Sequence, residues 1–303
     1  MDLLYLIIGL LLLVAGAEIV IKGSVSFGKK LNISLFAIGV VIVAGGTSLP
    51  ELASSINAVI NNHADLAVGA VVGSNIANLI LVMAATAVIL PISNVTKNQI
   101  NQAWINIGLG VALILMSFLY FNYLFGIVSM ILLILIMYLQ FKKGSLDLEE
   151  INKSEYSTIL SIFLILIGII FLIYGSELFV NSAISIANYF NVSEAVIGLS
   201  IIAFGTSLPE LVVGIMSAIK RKVDFALGNI LGSNIYNVLG VLGISSFFGS
   251  FSMPKIIATQ DLLFMVLITF ITLGFMFFVK KIGRIYGSIG LILYACYIYF
   301  IFI

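Results

Sequence analysis

The chain reads as an all-α polytopic membrane protein of ten transmembrane helices, arranged as two inverted five-helix repeats. Three observations carry that reading. Of 303 residues, 62% are hydrophobic and 9% charged, with mean hydropathy +1.25, and a soluble domain of that composition would have no surface to offer water. Several apolar runs exceed the about 18 residues that mark a membrane-spanning helix. Residues 159 apart also match without a gap: Glu18 with Glu177, Asn32 with Asn191, Gly39 with Gly198, Gly46 with Gly205, Glu51 with Glu210, Gly69 with Gly228, Gly73 with Gly232, and Asn78 with Asn237.

Taken in order, helices are expected near 3–21, 34–60, 64–90, 100–120 and 122–141. Met1-Asp2-Leu3-Leu4 lacks the positive start of a signal peptide, so 3–21 is read as a retained first helix. The fourth and fifth helices meet at the short turn Phe121-Asn122-Tyr123. The polar stretch 142–156 links the halves, and helices near 157–180, 193–219, 223–248, 258–279 and 284–303 follow. The domain division is therefore a first repeat 1–141, a cytoplasmic linker 142–156 and a second repeat 157–303. Five is odd, so the second repeat enters the membrane in the opposite sense, an architecture of many secondary transporters. The aromatic end Tyr294–Phe302 reads as a lipid-facing helix with interfacial anchors.

Orientation follows from the basic residues. With the N-terminus outside, the inner loops carry Lys22, Lys29, Lys30, Lys97, Lys142, Lys143, Lys153, Lys220, Arg221, Lys222, Lys280, Lys281 and Arg284, and the outer loops only Lys255. Thirteen against one predicts both termini outside the plasma membrane and the linker in the cytoplasm. The net charge of +1 has no dense basic patch behind it, so no nucleic acid is expected. Cys296 is the only cysteine and His63 the only histidine. Disulfides, cysteine metal clusters and a Ser-His or metal-binding His set are thereby excluded, and with them the obvious enzyme classes.

The stretch Gly46-Thr47-Ser48-Leu49-Pro50-Glu51 returns as Gly205-Thr206-Ser207-Leu208-Pro209-Glu210, each inside an apolar run. An intramembrane carboxylate is expensive and marks a functional site. Pro50 and Pro209 must break their helices, freeing carbonyls near 44–46 and 203–205. Freed carbonyls, hydroxyls and a carboxylate are hard oxygen ligands, suited to Ca²⁺ and alkali cations rather than to zinc or copper. A second cluster follows in each half, Gly73-Ser74-Asn75-Ile76-Ala77-Asn78 and Gly232-Ser233-Asn234-Ile235-Tyr236-Asn237. Ser74 and Asn78 are spaced i, i+4 and share a helix face, as do Ser233 and Asn237, and Thr47 and Glu51. Close helix packing alone could explain the small residues, but it does not require a carboxylate.

These paired motifs, G-T-S-L-P-E twice and G-S-N-x-x-N twice, resemble the repeats of the sodium/calcium exchanger family over essentially the whole chain. The resemblance implies broken helices 2, 3, 7 and 8 around a midplane ion site, with helices 1 and 6 sliding as a gate. It implies Glu51 and Glu210 as main Ca²⁺ and Na⁺ ligands, joined by Thr47, Ser48, Thr206 and Ser207. It further implies Ser74 and Ser233 as flanking Na⁺ ligands, the carbonyls of Ala44 and Ala203 as backbone ligands, and Asn78 and Asn237 in the remaining core positions. Asn rather than an acid at 237 lowers the formal site charge to −2 and argues against K⁺ dependence. A second departure is Gly45, where the other half has Phe204.

The expected function is a secondary antiporter exchanging Na⁺ for Ca²⁺ by alternating access. Two ionised Glu residues neutralise one Ca²⁺ or two Na⁺, and a third Na⁺ would make exchange electrogenic. Both ions are substrates; no cofactor is expected, and the unit is expected to work as a monomer. The nearest rival is a Ca²⁺/H⁺ antiporter using the same Glu pair, and a cation channel is the rival from another class. Glu18 and Glu177 read either as interfacial helix-end carboxylates or as ion-recruiting groups at the two mouths. His63 reads as a solvated turn residue, and Asp147-Leu148-Glu149-Glu150 as a solvated linker without EF-hand spacing.

Overall fold

The computed structural model describes residues 1–143, 155–190 and 203–301. The Asp147–Glu150 acids, most of the expected linker, and the Asn191 and Gly198 members of the repeat lie outside them. The helices are α1 Asp2–Leu31, α2 Leu35–Thr47, α3 Leu49–Ile60, α4 Ala64–Ile89, α5 Lys97–Met116, α6 Tyr123–Lys143, α7 Thr158–Tyr189, α8 Leu208–Ile219, α9 Val223–Ser245, α10 Ile257–Val279 and α11 Arg284–Ile301. Seven of these are long and apolar enough to cross a membrane alone; α2 and α3 form an eighth span bent by 42°, and α8 and α11 are shorter apolar helices.

Two helices run well past their expected ends. α1 continues to Leu31 rather than stopping near 21, and α7 to Tyr189 rather than 180. Hydropathy marks where an apolar run stops, whereas a helix stops where its backbone is capped. For α1 that point is Asn32, whose left-handed backbone (φ 55°) closes the helix while Ile33 N–H bonds Gly28 O at 2.9 Å. α5 begins at Lys97, three residues before its expected start, because Thr96 and Gln99 form a reciprocal capping box.

The two prolines act as their position requires. Pro50 is the second residue of α3, whose N-cap is Ser48 (φ −83°, ψ 5°), and Pro209 the second of α8, whose N-cap is Ser207 (φ −86°, ψ 3°). Proline is tolerated in a first helical turn, so each chain bends there and restarts. Helices 3 and 8 of the expected set, α4 and α9, are not broken. Without a proline they stay continuous and carry a wide π turn instead, at Asn78–Val82 and Tyr236–Val241. A third π turn, Gly39–Val43, precedes Ala44.

Two short antiparallel strand pairs, absent from the sequence reading, tie the ends together. β1 (Ile92–Ser93) pairs with β4 (Lys281–Ile282), and β2 (Tyr120–Phe121) with β3 (Phe251–Ser252). In the packing, α9 is central, with nearly all of its residues buried, whereas α6 is peripheral and largely exposed. α9 lies so close to α2 that a Cβ on Gly228 would overlap the Phe36 carbonyl. α1 and α7 pack on each other along their length, and a Cβ on Gly16 would sit 2.8 Å from Gly168 O. Leu13, Ala17, Val20, Ile165, Ile169 and Leu172 of this pair form a second apolar cluster together with Ile38 and Val43 of α2, Val213 of α8 and Phe225 of α9.

Candidate ion-binding site

The two bends and the two π turns converge. Glu51, in the first turn of α3, and Glu210, in the first turn of α8, are both fully buried. Ser74 of α4 donates to Glu51 Oε1 at 3.4 Å, and Ser233 of α9 donates to Glu210 Oε1 at 3.3 Å. The two bonds are 159 residues apart at both ends. Ser207 donates to Ser74 Oγ at 3.3 Å, and Thr47 Oγ1 lies 3.4 Å from Ser233 Oγ, so each serine joins one half to the other. Asn237 Nδ2 donates to Ser74 Oγ at 3.1 Å and to Asn75 Oδ1 at 3.0 Å, and Asn78 Nδ2 donates to Asn234 Oδ1 at 2.9 Å.

Glu51, Ser74, Ser207 and Asn237, with Asn78 joined through Asn75 and Asn234, thus form one buried hydrogen-bonded network, and Glu210, Ser233 and Thr47 form a second. Ser48 is buried beside them with its hydroxyl unpartnered. Thr206 is half-buried, less enclosed than its counterpart Thr47. The Ala44 carbonyl already accepts Ser48 N–H at 3.1 Å and Thr47 Oγ1 at 3.4 Å, which leaves it little free lone-pair capacity. Ala203 opens the single helical turn Ala203–Gly205 that precedes the second bend.

The electrostatics are unusual in what is left unpaired. Among the described residues the ion pairs are Glu18 with Lys22 at 3.0 Å and with Lys220 at 3.1 Å, both away from this cluster. Glu51 Oε2, Glu210 Oε2, Asn78 Oδ1, Asn237 Oδ1 and Ser48 Oγ are buried with no hydrogen-bond partner. Bare buried carboxylates cost several kcal/mol each, of order, unless a cation or proton compensates them. Five orphaned oxygens at the two bends and the two π turns are a hard-oxygen donor set in search of a cation. Among the described residues no three His, Cys, Asp or Glu side chains gather to hold a soft metal.

Sequence reasoning missed three members. Asn75 and Asn234 lie within the quoted motifs but gain meaning only from the pairing across halves. Asn229 is fully buried and accepts from Thr47 at 3.3 Å, and no repeat signal could find it, since its counterpart is Ala70. Glu18, in the middle of α1, is paired with Lys22 and Lys220, while Glu177 and His63 are exposed. The Gly45 departure has a structural account. Tyr236 fills the space a side chain would need, its Cζ 3.0 Å from a Cβ built at 45, and donates to Val41 O at 2.7 Å. In the opposite half the bulk is exchanged, with Phe204 at the glycine position and Ala77 at the tyrosine position.

A membrane-embedded helical fold with two buried carboxylates and a cage of neutral oxygens defines a cation transporter. The chain belongs to the sodium/calcium exchanger protein family, whose family model matches residues 1–142 and 160–303. It is 35% identical over 292 residues to the uncharacterized membrane protein MJ0091 of Methanocaldococcus jannaschii, covering 96% of this chain and 94% of that one. It is 29% identical over 353 residues to the sodium/calcium exchanger MaX1 of Methanosarcina acetivorans, covering 99% and 98%. A solved structure of the sodium-calcium exchanger NCX_Mj superposes with TM-score 0.87 at 34% identity, covering 98% of this chain and 97% of that one. The chain is accordingly a membrane transporter of cations and not an enzyme, and its family carries Na⁺ and Ca²⁺ as substrates without a cofactor.

Proposed function

We propose that this protein exchanges Na⁺ for Ca²⁺ across the plasma membrane by alternating access, as an electrogenic antiporter working as a monomer. Glu51 and Glu210 are the shared ligands, with Thr47, Ser48, Thr206, Ser207, Ser74, Ser233, Asn78 and Asn237 completing the oxygen cage and the carbonyls of Ala44 and Ala203 at its edges. The observation that carries this reading is the pair of buried carboxylates, each with one oxygen held by a serine and the other unpartnered.

Charge decides the cycle. The empty site holds −2 and resists desolvation at the midplane, so it does not switch sides easily. One Ca²⁺ or two Na⁺ cancel that charge and permit the switch, and a third Na⁺ carries net charge across. Because both ions need the same two carboxylates, they compete, and competition enforces exchange over leak.

Ten spans in two inverted five-helix repeats, 1–141 and 157–303 with 142–156 as linker, are the architecture of this reading. It is supported by the 159-residue offset between the two Ser–Glu bonds and between β1 and β3, by the π turn Asn78–Val82 mapping with that offset inside the π turn Tyr236–Val241, and by the separate family matches on either side of the linker. Both termini lie outside in this reading, which the lysine and arginine distribution supports.

The test is Ca²⁺ uptake by purified protein in sealed liposomes loaded with Na⁺, with external choline, Na⁺ or K⁺, and with or without a protonophore. Uptake that needs internal Na⁺, ignores the protonophore and needs no K⁺ is the expected result. Uptake driven by a pH gradient without Na⁺ would make the protein a Ca²⁺/H⁺ antiporter and the Glu pair its proton carriers.

A further inference from the structure

Asn78 and Asn237 each leave an amide oxygen buried and without a donor, and the cause lies on the opposite helix. A carboxamide has a donor end and an acceptor end, and whichever end is tied fixes the direction of the other. Asn78 of α4 gives its NH₂ to Asn234 Oδ1 of α9 at 2.9 Å, and Asn237 of α9 gives its NH₂ to Asn75 Oδ1 of α4 at 3.0 Å. The two bonds are related by the 159-residue offset, since 78 + 159 = 237 and 75 + 159 = 234. Asn75 Nδ2 in turn donates to the Asn234 backbone carbonyl at 3.4 Å, which anchors one side of the arrangement. All four side chains are at most 3% exposed, so water is not available to reorient them.

We propose that Asn75 and Asn234 are positioning residues for ion binding. Each holds the NH₂ group of the other helix's ligand asparagine, so that both amide oxygens, rather than NH₂ groups, face the cation. An NH₂ turned inward would present partial positive charge to Ca²⁺ or Na⁺ and abolish that ligand. Amide oxygens add ligands without adding charge, so the site keeps the −2 supplied by the two glutamates. The arrangement also joins α4 to α9 at their π turns. This inference rests on Asn78 and Asn237 being ion ligands.

The two halves of the clamp are not equal. Asn237 has a second acceptor, Ser74 Oγ at 3.1 Å, whereas Asn78 has Asn234 alone among the described contacts. Loss of Asn234 therefore removes more orientation than loss of Asn75.

The experiment is calorimetric Ca²⁺ titration of the purified full-length protein, in the native background and in Asn78→Asp. A carboxylate offers an oxygen from either end and needs no orienting partner. Asn234→Leu is expected to weaken Ca²⁺ binding about tenfold and Asn75→Leu about threefold, the range of one buried hydrogen bond converted to affinity. In the Asn78→Asp background the Asn234→Leu loss is expected to shrink to about twofold or less, as coupled residues behave in a double-mutant cycle. Asn234→Asp keeps the accepting oxygen and is expected to bind at least as tightly as the native protein. If Asn234→Leu does not fold, Asn234→Ser reads the same loss. An equal fold-loss in both backgrounds would mean that Asn234 only packs, and would overturn the proposal. Native affinity in Asn78→Ala would instead remove the ligand assignment itself, and the proposal with it. Weakened binding in Asn78→Ala with native binding in Asn234→Leu and Asn234→Ser would overturn the clamp alone.

Discussion

The Ser233 hydroxyl donates to Glu210 Oε1 over 3.3 Å, while Oε2 of the same carboxylate is buried without a partner. One oxygen is held and the other is free. The same division recurs at Ser74 and Glu51, at 3.4 Å. Ser74→Ala and Ser233→Ala are therefore expected to weaken Ca²⁺ binding by similar factors, each about tenfold, the cost of releasing a charge-assisted hydrogen bond. Ca²⁺ titration of the two variants side by side checks this, and a loss confined to one serine would contradict the equivalence of the halves.

The seating of α1 and α7 makes a second expectation. Glu18 of α1 reaches Lys220, the residue directly after α8, at 3.1 Å, and the pair is partly exposed. A pair of that kind contributes under about 1 kcal/mol, so Lys220→Met is expected to leave the melting temperature nearly unchanged. Its position matters more than its energy, because any movement of α1 against α8 must separate these side chains. In a Cys296→Ser background, the chain has no other cysteine. Glu18→Cys with Lys220→Cys, joined by a short bismaleimide, is expected to arrest Ca²⁺ uptake in liposomes, and each single cysteine with the same reagent is not. Undiminished uptake after complete crosslinking would show that α1 stays fixed on α8 during transport.

Gly45 and Tyr236 carry a packing expectation. A methyl at 45 would lie 3.0 Å from Tyr236 Cζ, tight enough to displace the ring from its bond to Val41 O. Gly45→Phe is expected to destabilise the protein by about 1–3 kcal/mol, as overpacking does. Adding Tyr236→Ala is expected to recover most of that loss by copying the Phe204 and Ala77 arrangement of the other half. Thermal unfolding in detergent reads both steps.

The repeat offset, the proline bends and the two glutamates were legible because each is a local signal: a spacing, a residue that cannot donate, a charge in an apolar run. The ends of α1 and α7 were not, since amphipathic turns such as Lys22–Leu31 continue a helix after the apolar run has stopped. The π turns at Asn78 and Tyr236 have no mark in the residue pattern, since hydropathy is blind to hydrogen-bond register, and the breaks expected in those two helices came from the family resemblance alone. Asn229 lay beyond reach because its chemistry has no partner at Ala70, and Asn75 and Asn234 because their role exists only once α4 faces α9.

The central claim is that Glu51 and Glu210 form one site that Ca²⁺ and Na⁺ occupy in turn. Ca²⁺ titration of the purified protein at rising Na⁺, repeated for Glu51→Gln and Glu210→Gln, tests it most directly. The expected result is competitive weakening of Ca²⁺ binding by Na⁺ in the native protein and at least about a hundredfold loss in either variant, about 3 kcal/mol for a removed charged ligand. Native Ca²⁺ affinity in both variants, or Ca²⁺ binding unchanged by Na⁺, would contradict it.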